Sequence, residues 1–83
     1  VNRDEVMPTV LRKDGFEFYF YSEEGNEPPH IHVDRGSGTA KFWLRPLALE
    51  YADGLKAAEV KKARRLVEEN RELLLDKWNE HFA

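Results

Sequence analysis

The chain has no cysteine and a single methionine in 83 residues. Neither a disulfide framework nor a thiolate metal site can staple it, so packing alone must hold the fold. Long apolar runs are missing too: the longest uninterrupted stretches are a few residues, too short to cross a bilayer. The acidic start Val1-Asn2-Arg3-Asp4-Glu5 is the wrong chemistry for a signal peptide. A soluble, cytoplasmic protein with no membrane partner is therefore expected. Nor is there a surplus of positive charge, because 13 Lys and Arg stand against 16 Asp and Glu for a formal net charge of −3. That balance argues against a globally basic nucleic-acid binder. The hydrophobic share of 41% supports one modest core at this length, so a two-domain enzyme is not expected.

What is present changes character near residue 54. Before it, aromatic and β-branched residues alternate between Gly, Pro and Asp clusters, which is the pattern of strands and turns. Asp14-Gly15 supplies the positive φ values of a two-residue hairpin turn, joining strands over about residues 8–13 and 16–22. In the second of these, a period of two puts Phe16, Phe18 and Phe20 on a core face and Glu17, Tyr19 and Tyr21 on the other. Residues 22–29, acidic and carrying Pro28 and Pro29, read as an exposed loop. A strand over residues 30–34 follows, with Ile31 and Val33 opposite His30, His32 and Asp34. A glycine-rich turn leads to residues 39–45, where Ala40, Phe42 and Leu44 lie opposite Lys41, Trp43 and Arg45, and a short further strand is expected over residues 47–51.

From Asp53, a candidate N-cap, the pattern turns helical. Val60, Ala63, Val67, Leu74, Trp78 and Phe82 recur at spacings of three, four and seven. Either one helix runs on to about residue 82, or Asn70, favoured at both kinds of helix boundary, ends a first segment and caps a second, which is the arrangement expected. The basic cluster of Lys56, Lys61, Lys62, Arg64 and Arg65 is followed by Glu68, Glu69 and Glu72, so its charges read as a self-paired surface and not as a DNA-binding helix. The fold class is α+β: a small antiparallel sheet of four to five strands, followed by a C-terminal helix or helix pair packed on one face.

The other face then carries Glu17, Tyr19, Tyr21, His30, His32, Asp34, Lys41, Trp43 and Arg45, and it is the functional candidate. Tyr19, Tyr21, Lys41, Trp43 and Arg45 are its binding residues, because aromatics interleaved with cations anchor protein interfaces and also stack single-stranded nucleic acid. The acidic balance favours a protein partner over RNA, and Trp78 and Phe82 could equally pack on a second copy of the chain. His30 and His32 are the candidate catalytic pair, since adjacent neutral and protonated imidazoles can accept and donate protons; with Lys41 and Arg45 holding a phosphate, that would suit metal-independent RNA cleavage. Metal binding ranks third. The two β-carbons lie about 7 Å apart, but two ligands do not make a site. A third would have to come from Glu17 or Asp34, and Asp34 sits roughly 13 Å along an extended strand from His30. No metal ligand set is assigned, and no cofactor is expected.

Met7-Pro8-Thr9-Val10, the aromatic strand of residues 16–21, the segment PPHIHV at 28–33, Lys41-Phe42-Trp43-Leu44, Gly54-Leu55, Glu69-Asn70 and Trp78-Asn79 together resemble the bacterial family called domain of unknown function 4160. The resemblance spans about residues 7–83 and implies a short prokaryotic protein, encoded beside another small gene in a toxin–antitoxin-like cassette, with no reaction attached. Pro28, Pro29, His30 and His32 carry over as motif positions without an assigned role. Residues 1–6 fit the pattern poorly, so they are expected to form a disordered extension ahead of a single α+β domain over 7–83. PPHIHV is also similar to the active strand of the histidine-triad nucleotide hydrolases, but the third alternate position here is Asp34, not histidine, which sets that reading aside. The leading functional expectation is a protein-interaction module, with a ribonuclease as the alternative and a metal-dependent enzyme behind it.

Overall fold

The computed structural model describes residues 9–82, so the extension expected at residues 1–6 lies outside the described residues. Five strands, β1 (Leu11–Lys13), β2 (Phe16–Tyr19), β3 (His30–Arg35), β4 (Gly38–Leu44) and β5 (Leu47–Asp53), are followed by α1 (Ala57–Glu69) and α2 (Arg71–Phe82). The strands form one antiparallel sheet in chain order, β1-β2-β3-β4-β5, each joined to the next by a hairpin. This is the α+β arrangement expected from the patterning, and among the described residues no helix is long and apolar enough to cross a membrane.

The β1–β2 turn has positive φ at both Asp14 (53°) and Gly15 (85°), the geometry whose twist matches a two-residue hairpin. Register then places the apolar residues of successive strands side by side. Phe18 pairs with Val33 and Val33 with Ala40, while Ile31 pairs with Phe42. On this face the sheet meets Ala63, Leu66 and Val67 of α1 and Leu74 and Trp78 of α2, and all of these residues are buried. Each fully buried Phe or Leu contributes roughly 1.5–3 kcal/mol, so this one layer supplies most of the stabilisation a chain this short can gather.

Three local expectations need correction. Asp53 does not cap a helix; it ends β5, and Gly54 (φ 75°) turns the chain before α1 begins. The first turn of α1 is instead tied by Glu59, whose Oε1 accepts the Lys56 amide at 2.8 Å. The β1 strand is shorter than the pattern suggested, and β4 starts one residue earlier, at Gly38. A side chain at Gly38 would lie 2.5 Å from the Gly54 carbonyl oxygen, so the approach of these two backbones requires glycine there. The helix break falls at Asn70 as expected: its side chain donates to the Leu66 carbonyl at 2.8 Å, and its own carbonyl accepts the Leu74 amide at 3.0 Å.

Candidate functional site

On the face of the sheet away from α1, Tyr19 pairs with His32, His32 with Lys41, and Lys41 with Tyr51, while His30 pairs with Trp43. Strand phase thus brings both imidazoles, Lys41, Trp43 and the tyrosines to one side, as period two requires. The face is not open. His30 is 0% and His32 3% exposed, and Tyr19 and Lys41 are also buried. Two covers account for this. The His30 ring packs 4.8 Å from the ring of Trp78 on α2 and 5.6 Å from Trp43, and the His32 ring stacks at 5.4 Å on Tyr19. The segment between β2 and β3, expected to be exposed, folds back and plants two of its acids on the histidines and the lysine.

Glu24 is the centre of this arrangement. Its Oε1 lies 2.7 Å from Nε2 of His30 and 2.9 Å from Nε2 of His32, and its Oε2 lies 3.1 Å from the latter. The loop is shaped to deliver it. The Glu27 amide donates to the Glu24 carbonyl at 3.1 Å, and the Leu44 amide donates to the Pro29 carbonyl at 3.0 Å, which ties the end of the loop to β4. A side chain added at Gly25 would collide with the ring of Phe82, so the loop passes tightly against the end of α2. Nδ1 of His30 donates to the Pro28 carbonyl at 3.0 Å, because a carbonyl can only accept. That bond orients the ring and points Nε2 at the carboxylate. Neither loop acid was legible as a site residue, since no periodicity governs a ten-residue connection. The available signal was only that acids flanked by Gly and Pro precede a His-x-His strand.

The electrostatics follow from burial. Burial pushes the His32 imidazole below its usual range, outweighing the hydrogen bond and negative charge of Glu24, and His30 and Lys41 act in the same direction as burial. Burial works to raise the Glu24 carboxyl, but hydrogen bonds from His30 and His32 prevail and hold it below the usual carboxylate range. Tyr19 is pushed well up, by burial first and then by its hydrogen bonds to Tyr21 and Asp34; its hydroxyl donates to Asp34 at 2.9 Å.

The expected binding residues part company. Tyr19 and Tyr21 pack edge to face at 5.5 Å beside His32, and Trp43 donates its indole N–H to Glu50 at 2.7 Å. Lys41 is engaged by Glu27 at 2.9 Å and lies 4.5 Å over the Trp43 ring. Arg45 is not with them: β4 ends at Leu44, and Arg45 lines a shallow cleft at the α1–α2 junction with Glu68, Glu69 and Arg71. The two cations expected to share a phosphate therefore lie in different places. Tyr51, which sequence reasoning left out of the site, joins this face from β5.

The model of the family described as Domain of unknown function (DUF4160) matches residues 15–79. The chain belongs to that family. The match covers every strand but β1, all of α1 and α2 as far as residue 79, so His30, His32 and the residues packed on them from β2, β4 and Trp78 of this DUF4160 domain lie inside it. No curated protein and no solved structure matches the chain.

Proposed function

We propose that this DUF4160 protein is a small cytoplasmic protein-interaction module, one member of a toxin–antitoxin-like pair, that takes up an extended segment of its partner along β5. The supporting observation is the edge strand itself. β5 runs seven residues, Leu47–Asp53, with no described strand beyond it. A strand edge offers a row of backbone donors and acceptors to any extended chain that reaches it. Leu49 (41% exposed) and Tyr51 (45% exposed) are among the few exposed large hydrophobic residues of the domain. Residues two apart ordinarily share a face. Here a register shift opposite Lys41 and Phe42 pairs Leu49 with Phe42 and Tyr51 with Lys41, so one anchor lies on each side of the sheet. An added strand would find an apolar contact above and below.

RNA is the weaker partner on the same grounds. Lys41 is engaged by Glu27 and Arg45 lines a different cleft, so the two cations expected to hold a phosphate do not meet beside the histidines. Two imidazoles with almost no accessible surface also leave little room for a scissile phosphodiester between them. Co-purification with the product of a short gene next to its own, the neighbour such a pair requires, tests the reading. Wild type should form a stoichiometric complex, and L49S/Y51S should lose it while keeping a nearly unchanged melting curve, since both positions are exposed and no charge is placed opposite Lys41. Absence of a complex, or a complex indifferent to both substitutions, would overturn it.

A further inference from the structure

The Glu24–His30–His32 cluster presents a chemical question that the interaction reading leaves unanswered. Two ring nitrogens converge on one carboxylate oxygen at 2.7 and 2.9 Å. Ionised carboxylates have only lone pairs to offer, and the Nδ1 proton of His30 is already given to the Pro28 carbonyl. If His30 is neutral, its Nε2 carries a lone pair too, and two lone pairs do not sit 2.7 Å apart without something positive between them. A proton is one solution. A metal cation is the other, and several features of the site suit it.

We propose that Glu24, His30 and His32 form a binding site for a borderline divalent cation of the zinc class, with two imidazole nitrogens and one carboxylate oxygen as ligands. The three ligand atoms lie within 4.8 Å of one another. With bonds of about 2.0–2.1 Å, ligand atoms around a tetrahedral ion sit about 3.3 Å apart and at right angles about 2.9 Å apart. The nitrogen-to-oxygen separations of 2.7 and 2.9 Å lie at or just below the right-angle spacing, so these contacts would lengthen slightly as the two nitrogens draw together around an ion. The Nδ1 hydrogen bond of His30 to a backbone carbonyl is the outer-shell contact that orients a metal-binding imidazole and leaves Nε2 free to ligate. Lys41, the nearest cation, is occupied by Glu27 at 2.9 Å.

The ligands come from two places in the chain: His30 and His32 from β3, and Glu24 from the loop. An ion would therefore clasp the β2–β3 loop to the sheet. The side chain of Glu24 keeps 19% of its surface exposed against 0% for His30, so a fourth position for water would open on the loop side. This inference uses different atoms from the β5 reading, and either can fail alone.

The test uses the full chain without a histidine tag and Co²⁺ as a visible probe, followed by competition with Zn²⁺. Wild type should take up one equivalent, with the d–d absorption of a low-coordinate site and a raised melting temperature. Glu24→Gln preserves the shape of the site and should weaken binding by at least about 100-fold, by analogy with losses at supporting positions of metal sites. His32→Ala should do the same, and His81→Ala, on the exposed end of α2, should bind like wild type. Should His32→Ala not fold, Glu24→Gln decides. Folded wild type that takes up no metal, uptake unchanged in Glu24→Gln, or uptake that follows His81 would each overturn the proposal.

Discussion

Removing Glu24 should cost far more stability than removing Glu27, although both are acids of the same loop and each contacts a buried basic side chain. In Glu24→Ala, the Nε2 atoms of two rings, with 0% and 4% side-chain exposure, lose their acceptor together. A buried polar group left without a partner costs about 1–3 kcal/mol, and the vacated volume can admit water that recovers part of it. The expected loss is therefore about 2–4 kcal/mol. A chain of this size has a total stability of roughly 4–12 kcal/mol, so a large part of it is at stake. Glu27→Ala breaks the Lys41 pair, but Glu27 is 40% exposed, so water entering in its place can solvate the lysine and the loss should stay at about 1 kcal/mol, the low end for a buried group that loses its partner. Urea unfolding at neutral pH with a chelator present, followed by the fluorescence of Trp43 and Trp78, separates the two. A double-mutant cycle with His32→Ala should give a coupling of about 1–2 kcal/mol between Glu24 and that ring. Equal losses for the two acids, or a loss under about 1 kcal/mol for Glu24→Ala, would refute the reasoning that the carboxylate is what makes the buried imidazoles tolerable.

Two further outcomes follow from the same packing. Trp78 contacts Phe20, His30 and Phe82 at ring separations of 5.2, 4.8 and 4.3 Å, so Trp78→Ala should cost about 3–5 kcal/mol and loosen the loop as well as α2; hydrogen exchange at residues 22–29 would report the second effect. Because folding holds the His32 pKa down, the unfolded chain binds a proton that the native state does not. Its contribution is complete above the usual histidine value of about 6.5 and is lost as pH falls below it, with Glu24 adding a loss of the same sign below about 4.3. Urea midpoints measured down this range should decline, less so in His32→Ala, and a flat profile in wild type would contradict it.

Much of the architecture was readable from patterning. Asp14-Gly15 announced its hairpin, Phe16 and Phe18 marked the core face, and Asn70 marked the helix break, because each depends on local backbone preference or on strand and helix period. Strand phase alone also put His30, His32, Lys41 and Trp43 on one side. It could not say whether that side was open. The helix start was misplaced at Asp53 because a good capping residue lay within reach of the true boundary, and the sheet claimed it for β5.

The amino-acid sequence by itself therefore determined which residues share a face, since alternation along a strand is a property of the backbone and needs no neighbour. Only the tertiary structure decided what covers that face. The path of the loop, the reach of Trp78 from α2 and the register shift in β5 depend on contacts between residues far apart in the chain, which no period records. Those contacts turned an expected open pair of histidines into a buried cluster closed by Glu24, and they left Leu49 and Tyr51 exposed at the sheet edge.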